Sequence, residues 1–322
     1  MVFFQALTNK LDVTADFVVR ELRNRKAQYF RLNTEDLVSE QCNISYFPLS
    51  IKVTKNGREF DLAKETKVVW NRRPGKPFDN LSTQMKPSKA TVKFINNQWY
   101  SWLEVLQLIQ NVVWFNHPHS NDKMESKILQ LFLAQKIGFS IPDTLISNDI
   151  REIEKFFHLH KKRIIAKALY SPLIEEKNQD YFIFSNIIEE LPSNNNEEFK
   201  ISPSIFQQAL IPKVDYRVTV IQNKALSVKI TDKNHDGVPV DWRTIKDGIS
   251  FQPIDLPNRI ESLCINFVSE CGLKFGAIDL IEHEDKFYFI EINPNGEWGW
   301  LQKPHGLPIA ETICDAMLLN IF

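Results

Sequence analysis

The chain has 322 residues, enough for two or three domains or one large α/β enzyme with a sizeable core. Apolar and charged shares of 43% and 25% suit a soluble globular protein, and a net charge of −1 argues against a nucleic-acid partner recognised through bulk electrostatics. No apolar run approaches the ~20 residues of a membrane span, MVFFQALTNK turns polar too soon for a signal peptide, and the four cysteines lack Cys-x-x-Cys spacing, so a reducing cytoplasm and no membrane partner are expected.

Val2–Leu7 reads as a short strand, Asp12–Asn24 as a helix with Val13, Phe17 and Leu22 near one face, and Tyr29–Leu32 as the next strand of a βαβ-like start. No glycine-rich phosphate loop joins that strand to that helix, so a dinucleotide fingerprint is absent. Ile51–Val53 and Glu59–Leu62 flank Lys55-Asn56-Gly57, a hairpin signal. The strand Lys67–Trp70 runs into Asn71-Arg72-Arg73-Pro74-Gly75-Lys76-Pro77, whose cations make either a solvated loop or an anion-facing one. Trp99–Val113 predicts an apolar helix that closes a first domain, with the boundary in Trp114–Ser120.

A helix over Asp122–Ile137, capped by Asn121 or Asp122 and stopped by Gly138, carries Ile128, Leu131, Phe132 and Gln135 on its face with Lys127 beside them. Arg163–Leu169 is a buried-looking strand in which Lys167 shares a side with Ile165 and Leu169. An ammonium there needs an anionic partner, a carboxylate or a phosphate. Tyr181–Ile188 is its paired strand, Leu191–Lys200 a polar, acidic, mobile loop, and Phe206–Asp215 a linker with one proline. Val214–Ile221 and Ala225–Asp232 form a hairpin around Gln222-Asn223-Lys224. A three-residue loop sets Arg217 directly opposite Lys229, a like-charge pair that an anion would relieve. Asp232–Val240 is a polar loop, Arg259–Cys271 a helix in which Cys264 and Cys271 pack the core, and Ile309–Met317 the last helix.

The stretch Gly276–Leu301, GAIDLIEHEDKFYFIEINPNGEWGWL, is the most informative. Two apolar strands flank a charged turn, one interrupted by Asp279 and the other by Glu291 and Asn293, which share a face because strand side chains alternate. Two carboxylates and an amide oxygen are hard donors of the kind Mg²⁺ takes while it also holds phosphates. Solvated carboxylates on a half-exposed hairpin are the alternative. If Asp279 and Glu291 act together, the turn must hold an odd number of residues or the hairpin must carry a bulge.

At these residues the chain resembles the ATP-grasp ligases, from about Trp114 to the C-terminus. Within that superfamily EINPNGEWGWL, Asp241-Trp242-Arg243 and the Trp-x-Arg-Arg-Pro segment ending at Pro74 resemble the microviridin-type (graspetide) peptide maturases. The resemblance implies an α/β (α+β) ATP-grasp fold with an N-terminal pre-ATP-grasp domain over 1–116, a central subdomain over 117–200 and a metal-bearing C-terminal subdomain over 201–322. It implies ATP and Mg²⁺ as cofactors. Lys127, Lys167 and Lys229 would hold phosphates, and Gln208, Ala209, Leu210 and Ile211 would form the hinge over adenine. Asp215 would accept the ribose hydroxyls, and Asp279, Glu291 and Asn293 would hold the metal. Arg217 and Arg243 would meet charge developing on the transferred phosphoryl group, while Arg72 and Arg73 would face an acidic peptide. The implied activity is ATP-dependent macrocyclisation of a ribosomally made precursor with leader and core. Glu or Asp carboxylates become acyl phosphates and are joined to Ser/Thr hydroxyls or Lys amines. Other readings are a carboxylate–amine ligase of the glutathione-synthetase or protein-glutamylating kind, or a non-catalytic nucleotide- or peptide-binding scaffold. The residues leave the bond type, any general base and the oligomeric state open, a homodimer included.

Overall fold

The structure, a computed structural model, describes residues 3–78, 87–170, 173–175, 180–182, 185–191, 196–232, 241–242 and 248–319. The chain divides into two units, Met1–Pro118 with Glu297–Phe322, and His119–Gly296.

In the first unit β1 (Phe3–Thr8) and β2 (Tyr29–Asn33) pair in parallel across α1 (Val13–Asn24), whose N-cap Asp12 accepts from the Ala15 amide. The buried stripe of α1 runs through Ala15, Val18, Val19 and Leu22. Val13, expected on that face, is 64% exposed. An antiparallel sheet of β3 (Gln41–Ser45), β4 (Ser50–Lys55) and β5 (Arg58–Asp61) follows, and its second hairpin turns on Asn56-Gly57, both at positive φ as the sequence predicts. The turn α2 (Leu62–Glu65) leads to β6 (Thr66–Asn71), which lies beside β1. The next helix, α3, covers Lys89–Glu104 under a Ser88 cap, and β7 (Val113–Phe115) completes the sheet order β2-β1-β6-β7. The helix expected over Trp99–Val113 is borne out over Trp99–Glu104 and corrected beyond it, where Asn111 turns the chain at positive φ and the β-branched Val113 starts a strand.

In the second unit the helix expected over Asp122–Ile137 is two helices, α4 (Pro118–Met124) and α5 (Lys127–Ile137). Ser126 breaks the run because its hydroxyl caps α5 at the Leu129 amide, and Gly138 stops α5 in the left-handed region. α5 buries Gln130, Leu131 and Ala134, whereas Ile128 and Phe132 are exposed. Next come β8 (Thr144–Ser147), α6 (Ile150–Leu159), β9 (Ile164–Lys167), β10 (Leu173–Glu175), β11 (Asp180–Phe182), β12 (Asn186–Ile188), α7 (Asn196–Ile201) and β13 (Ser204–Gln208). They build an antiparallel sheet, β12-β9-β13-β8, over α6, with β10 and β11 pairing separately. The strand expected over Tyr181–Ile188 is therefore split, and α7 takes the end of the expected loop Leu191–Lys200.

The sheet that matters most is built from β14 (Val214–Ile221), β15 (Lys224–Asp232), β16 (Ile249–Ile254), β17 (Phe275–His283) and β18 (Lys286–Asn293), in the order β16-β15-β14-β17-β18. Between β16 and β17 lies α8 (Asn258–Glu270). One sheet face (Tyr216, Val218, Val220, Ile278, Leu280, Phe289, Ile292) packs on α5 and α8, and Cys264 and Cys271 lie in that core as expected. Alternation leaves the other face to Asp215, Arg217, Asp279 and Glu291. The chain then returns to the first unit with α9 (Gly299–His305) and α10 (Ile309–Leu318), which packs on α1. The subdomain expected over 201–322 includes this last segment. No helix among the described residues is long and apolar enough to cross a membrane.

Candidate active site

The β17–β18 hairpin turns on two residues, Glu284 and Asp285, both at positive φ, with His283 opposite Lys286. An even turn alone would set Asp279 opposite Ile290. A bulge beside Asp279 shifts the register by one, so Asp279 pairs with Glu291, Ile278 with Ile292 and Ala277 with Asn293. The bulge required by a shared carboxylate site is present, and Asn293 follows Glu291 on the same face.

Two cations reach these carboxylates. Arg217 on β14 lies opposite Asp279 on β17, and its Nη1 donates to both carboxylate oxygens at 2.8 and 3.0 Å. Lys127, the first residue of α5, donates to the Ala168 carbonyl at 3.3 Å and lies 3.7 Å from Glu291 Oε2. The structure thus brings Lys127, Arg217, Asp279 and Glu291 together. Lys167 ends β9 one residue before that carbonyl, on the face shared by Ile165 and opposite the α6 core. Gly296 closes the loop after β18. A Cβ there would lie 2.4 Å from Ala277 Cβ and 2.6 Å from Arg217 Nη2.

The hinge residues Gln208, Ala209, Leu210 and Ile211 join β13 to β14, with the Gln208 amide held by the Asp143 carbonyl at 2.9 Å and Leu210 buried. Asp215, assigned to ribose from sequence, is buried and gripped by the ammonium of Lys213, itself buried. Burial pushes the Asp215 carboxyl up from 3.8 to about 6. Lys213 opposes the shift, and the charges of Asp279 and Asp241 add to it. A buried carboxylate needs such a partner, so the lysine two residues away takes the position assigned to hydroxyls.

Sequence reasoning missed Lys213 and Gln130. The Gln130 amide donates to the Met124 and Ile292 carbonyls at 2.6 and 3.0 Å and accepts from the Ile292 amide at 3.0 Å. It satisfies the outer edge of β18, the last strand of its sheet, beside the bulge. The only signal for it was a glutamine inside an apolar helix pattern.

Two further expectations are corrected. The β14–β15 turn holds two residues, Gln222 and Asn223. Arg217 therefore lies opposite Val228 and Lys229 opposite Tyr216, so the two cations occupy different faces. Arg72 is neither solvated nor open to a peptide. It is 1% exposed, paired with Asp12 at 3.6 Å and Glu297 at 2.9 Å, and burial pulls its guanidinium down to about 10 against the pull of both carboxylates. Arg73 donates to Glu297 as well, and so does the Thr14 hydroxyl. A guanidinium this deep requires counterions, and Asp12 and Glu297 supply them. Arg243 lies outside the described residues.

One sheet face thus carries Arg217, the paired carboxylates Asp279 and Glu291, and Asn293, with Lys127 reaching Glu291 from the start of α5. The chain belongs to the RimK-like ATP-grasp domain family, whose model matches residues 120–317. It is an ATP-grasp ligase of the ADP-forming kind. The chain is 22% identical, over 74% of its own length and 84% of the relative's, to the tetrahydromethanopterin:alpha-L-glutamate ligase of Methanocaldococcus jannaschii. Two solved structures share its fold. The macrocyclase MdnC of Microcystis aeruginosa MRC, bound with precursor peptide MdnA, is 23% identical over 99% of this chain and 100% of its own, with a TM-score of 0.84. A RiPP-associated ATP-grasp ligase of Chryseobacterium gregarium, in complex with ADP and a leader and core peptide, is 24% identical over 99% and 97%, with a TM-score of 0.85.

ATP and Mg²⁺ are the cofactors of this family. The residues present fit them. Asp279, Glu291 and Asn293 give two carboxylates and an amide, a small hard-oxygen set that suits a Mg²⁺ held in part by phosphate oxygens and water. Among the described residues no group of three or more His, Cys, Asp or Glu offers a self-sufficient metal cage. Arg217 adds a buried Nε that has no hydrogen-bond partner among the described residues, a donor in keeping with an anion on this face.

Proposed function

We propose that the protein is a peptide macrocyclase that activates Glu or Asp side chains of a ribosomally made precursor and joins them to Ser/Thr hydroxyls or Lys amines. What carries the reading is the extent of the likeness: both peptide-bound structures match over 99% of the chain, first unit included. In this reading a substrate carboxylate takes the γ-phosphoryl group of ATP, giving an acyl phosphate and ADP. A hydroxyl or amine then adds at the acyl carbon and phosphate leaves, so each bond removes one water from the peptide. Bound Mg²⁺ supplies charge neutralisation on the phosphates. Asp279, Glu291 and Asn293 would hold the metal. Lys127 and Lys167 hold phosphates, and Arg217, fixed by Asp279, faces the charge that develops on the transferred group. Arg243 shares that task. The hinge Gln208–Ile211 reads adenine through main-chain groups. The protein acts in the cytoplasm.

The matched glutamate ligase favours a second reading, addition of free glutamate to a carboxylate acceptor. The test is ATP-dependent turnover with a short peptide rich in Thr, Lys, Glu and Asp encoded beside this gene, followed by mass spectrometry. Loss of whole waters from the peptide supports macrocyclisation. Gain of glutamate mass with added glutamate replaces it with the second reading, and ATP turnover with neither change refutes both.

A further inference from the structure

The first unit carries a groove that nucleotide chemistry does not use. It has a volume of about 740 Å³ and lies between α1, β2 and the β4–β5 hairpin. Five cations line it, Arg20, Arg23, Arg31, Lys55 and Arg58, against one carboxylate, Asp16. Asp16 is taken by Arg31, and Lys55 is held by Asp36 at 2.9 Å, so these pairs build the wall. Of the others, Arg23 donates to the Tyr29 hydroxyl at 2.5 Å and stands 5.5 Å from that ring. Arg20 stands 5.5 Å from the ring of Phe17, and Arg58 4.7 Å from that of Phe60. A guanidinium whose face rests on a ring can receive a carboxylate along its N–H edge. The chain as a whole has a net charge of −1, so this gathering of cations is local and not a by-product of a basic protein.

β2 ends its sheet, and on its outer edge Lys55 Nζ donates to the Arg31 carbonyl at 3.2 Å, so the lysine covers the strand edge and the guanidinium groups are what the groove offers a ligand. The volume is that of a ligand cleft.

We propose that this groove binds an acidic peptide segment, its side-chain carboxylates received by Arg20, Arg23 and Arg58. That the segment belongs to the ligase's own precursor rests on the function proposed above; the selection for carboxylates does not.

The experiment is fluorescence anisotropy with labelled hexaglutamate and hexaglutamine at low salt. Hexaglutamate is expected to bind, with an affinity that falls as salt rises, and hexaglutamine to bind about tenfold or more weakly. The triple variant Arg20→Gln, Arg23→Gln, Arg58→Gln should lose about tenfold in hexaglutamate affinity. All three residues are exposed, so its melting temperature should hold, and the matching triple Lys variant should keep most of the binding. No binding of hexaglutamate to the wild type, equal binding by the Gln variant, or full displacement by an equal concentration of inorganic phosphate would each overturn the proposal. Precursor-dependent ATP turnover is read separately. Groove binding without turnover counts against the macrocyclase reading alone, and turnover without groove binding counts against the groove alone.

Discussion

Replacing Gly296 with Ala tests whether the loop after β18 fixes Arg217. The added Cβ would stand 2.4 Å from Ala277 Cβ, 2.6 Å from Arg217 Nη2 and 3.3 Å from the Asn293 carbonyl. Carbon atoms in contact sit at ~3.5–4.0 Å, so more than an ångström must be recovered. Ala277 cannot yield, because its Cβ is fixed to the backbone of a strand paired on both sides. The movement therefore falls on the loop and on the guanidinium of Arg217. Overpacking of this size costs about 1–3 kcal/mol of stability. A 1 Å misplacement of a positioning group costs about 10²-fold in rate. Steady-state ADP release and a melting curve on one sample read both quantities. Gly276→Ala is the control, since its Cβ meets Ile292 Cδ1, the flexible end of a core side chain, at 2.5 Å on the opposite face. That variant should lose stability and keep kcat. If Gly296→Ala keeps kcat while its melting temperature falls as in the control, Arg217 does not depend on this loop.

Glu291→Gln should lower product formation about 10²-fold or more with the melting temperature unchanged, because a metal ligand contributes several kcal/mol of charge stabilisation; wild-type turnover at ordinary Mg²⁺ removes Glu291 from the site. Gln130→Leu strips the bonds to both Ile292 main-chain groups and should cost about 2–3 kcal/mol in denaturant titration, with a rise in the KM for ATP. Asp215 binds its proton more tightly folded (about 6) than unfolded (3.8), so between those values the native state holds more protons and stability falls as pH rises, by about 3 kcal/mol in all. Asp215→Asn should remove that fall from a plot of melting temperature against pH from 4 to 7, and an unchanged slope refutes the assignment. Arg72→Ala leaves the buried Asp12 without its guanidinium, while Glu297 keeps that of Arg73, and should cost about 3–5 kcal/mol, read as melting temperature, whereas Arg73→Ala, on a half-exposed side chain, should cost less than about 1 kcal/mol.

What was legible in the sequence was local. Asn56-Gly57 announces a hairpin because both residues tolerate positive φ, and Gly138 ends a helix for the same reason. Asp279, Glu291 and Asn293 stand out because each interrupts an apolar strand. The misreadings share one cause, a partner or phase that sequence spacing does not contain. Arg72 looks like a surface cation until Asp12, some sixty residues earlier, and Glu297, more than two hundred later, close around it. Counting Lys224 into the turn matches Lys229 to Arg217, whereas the pairing of Ile221 with Lys224 shifts every residue of β15 to the other face. Ser126 reads as a helix residue, although a serine hydroxyl is worth more to a free N-terminal amide than to a helix interior.

The bulge at Glu291 was in principle readable, because the apolar phase slips there. Phe287 and Phe289 face the core at odd positions, but the next core residue is Ile292, an even one. Had β18 kept a strict period of two, Glu291 would follow Phe289 into the packing between the sheet and helices α5 and α8, and Ile292 would turn outward. Burying that carboxylate without a partner would cost several kcal/mol, and exposing Ile292 would forfeit ~2 kcal/mol more. One unpaired residue at the bulge avoids both costs. The same slip sets Glu291 beside Asp279, within reach of Lys127, while Gln130 holds the shifted main chain at Ile292. The constraint that keeps a charge out of the core is thus the one that assembles the carboxylate pair, so the site cannot lose its register without the fold losing its core.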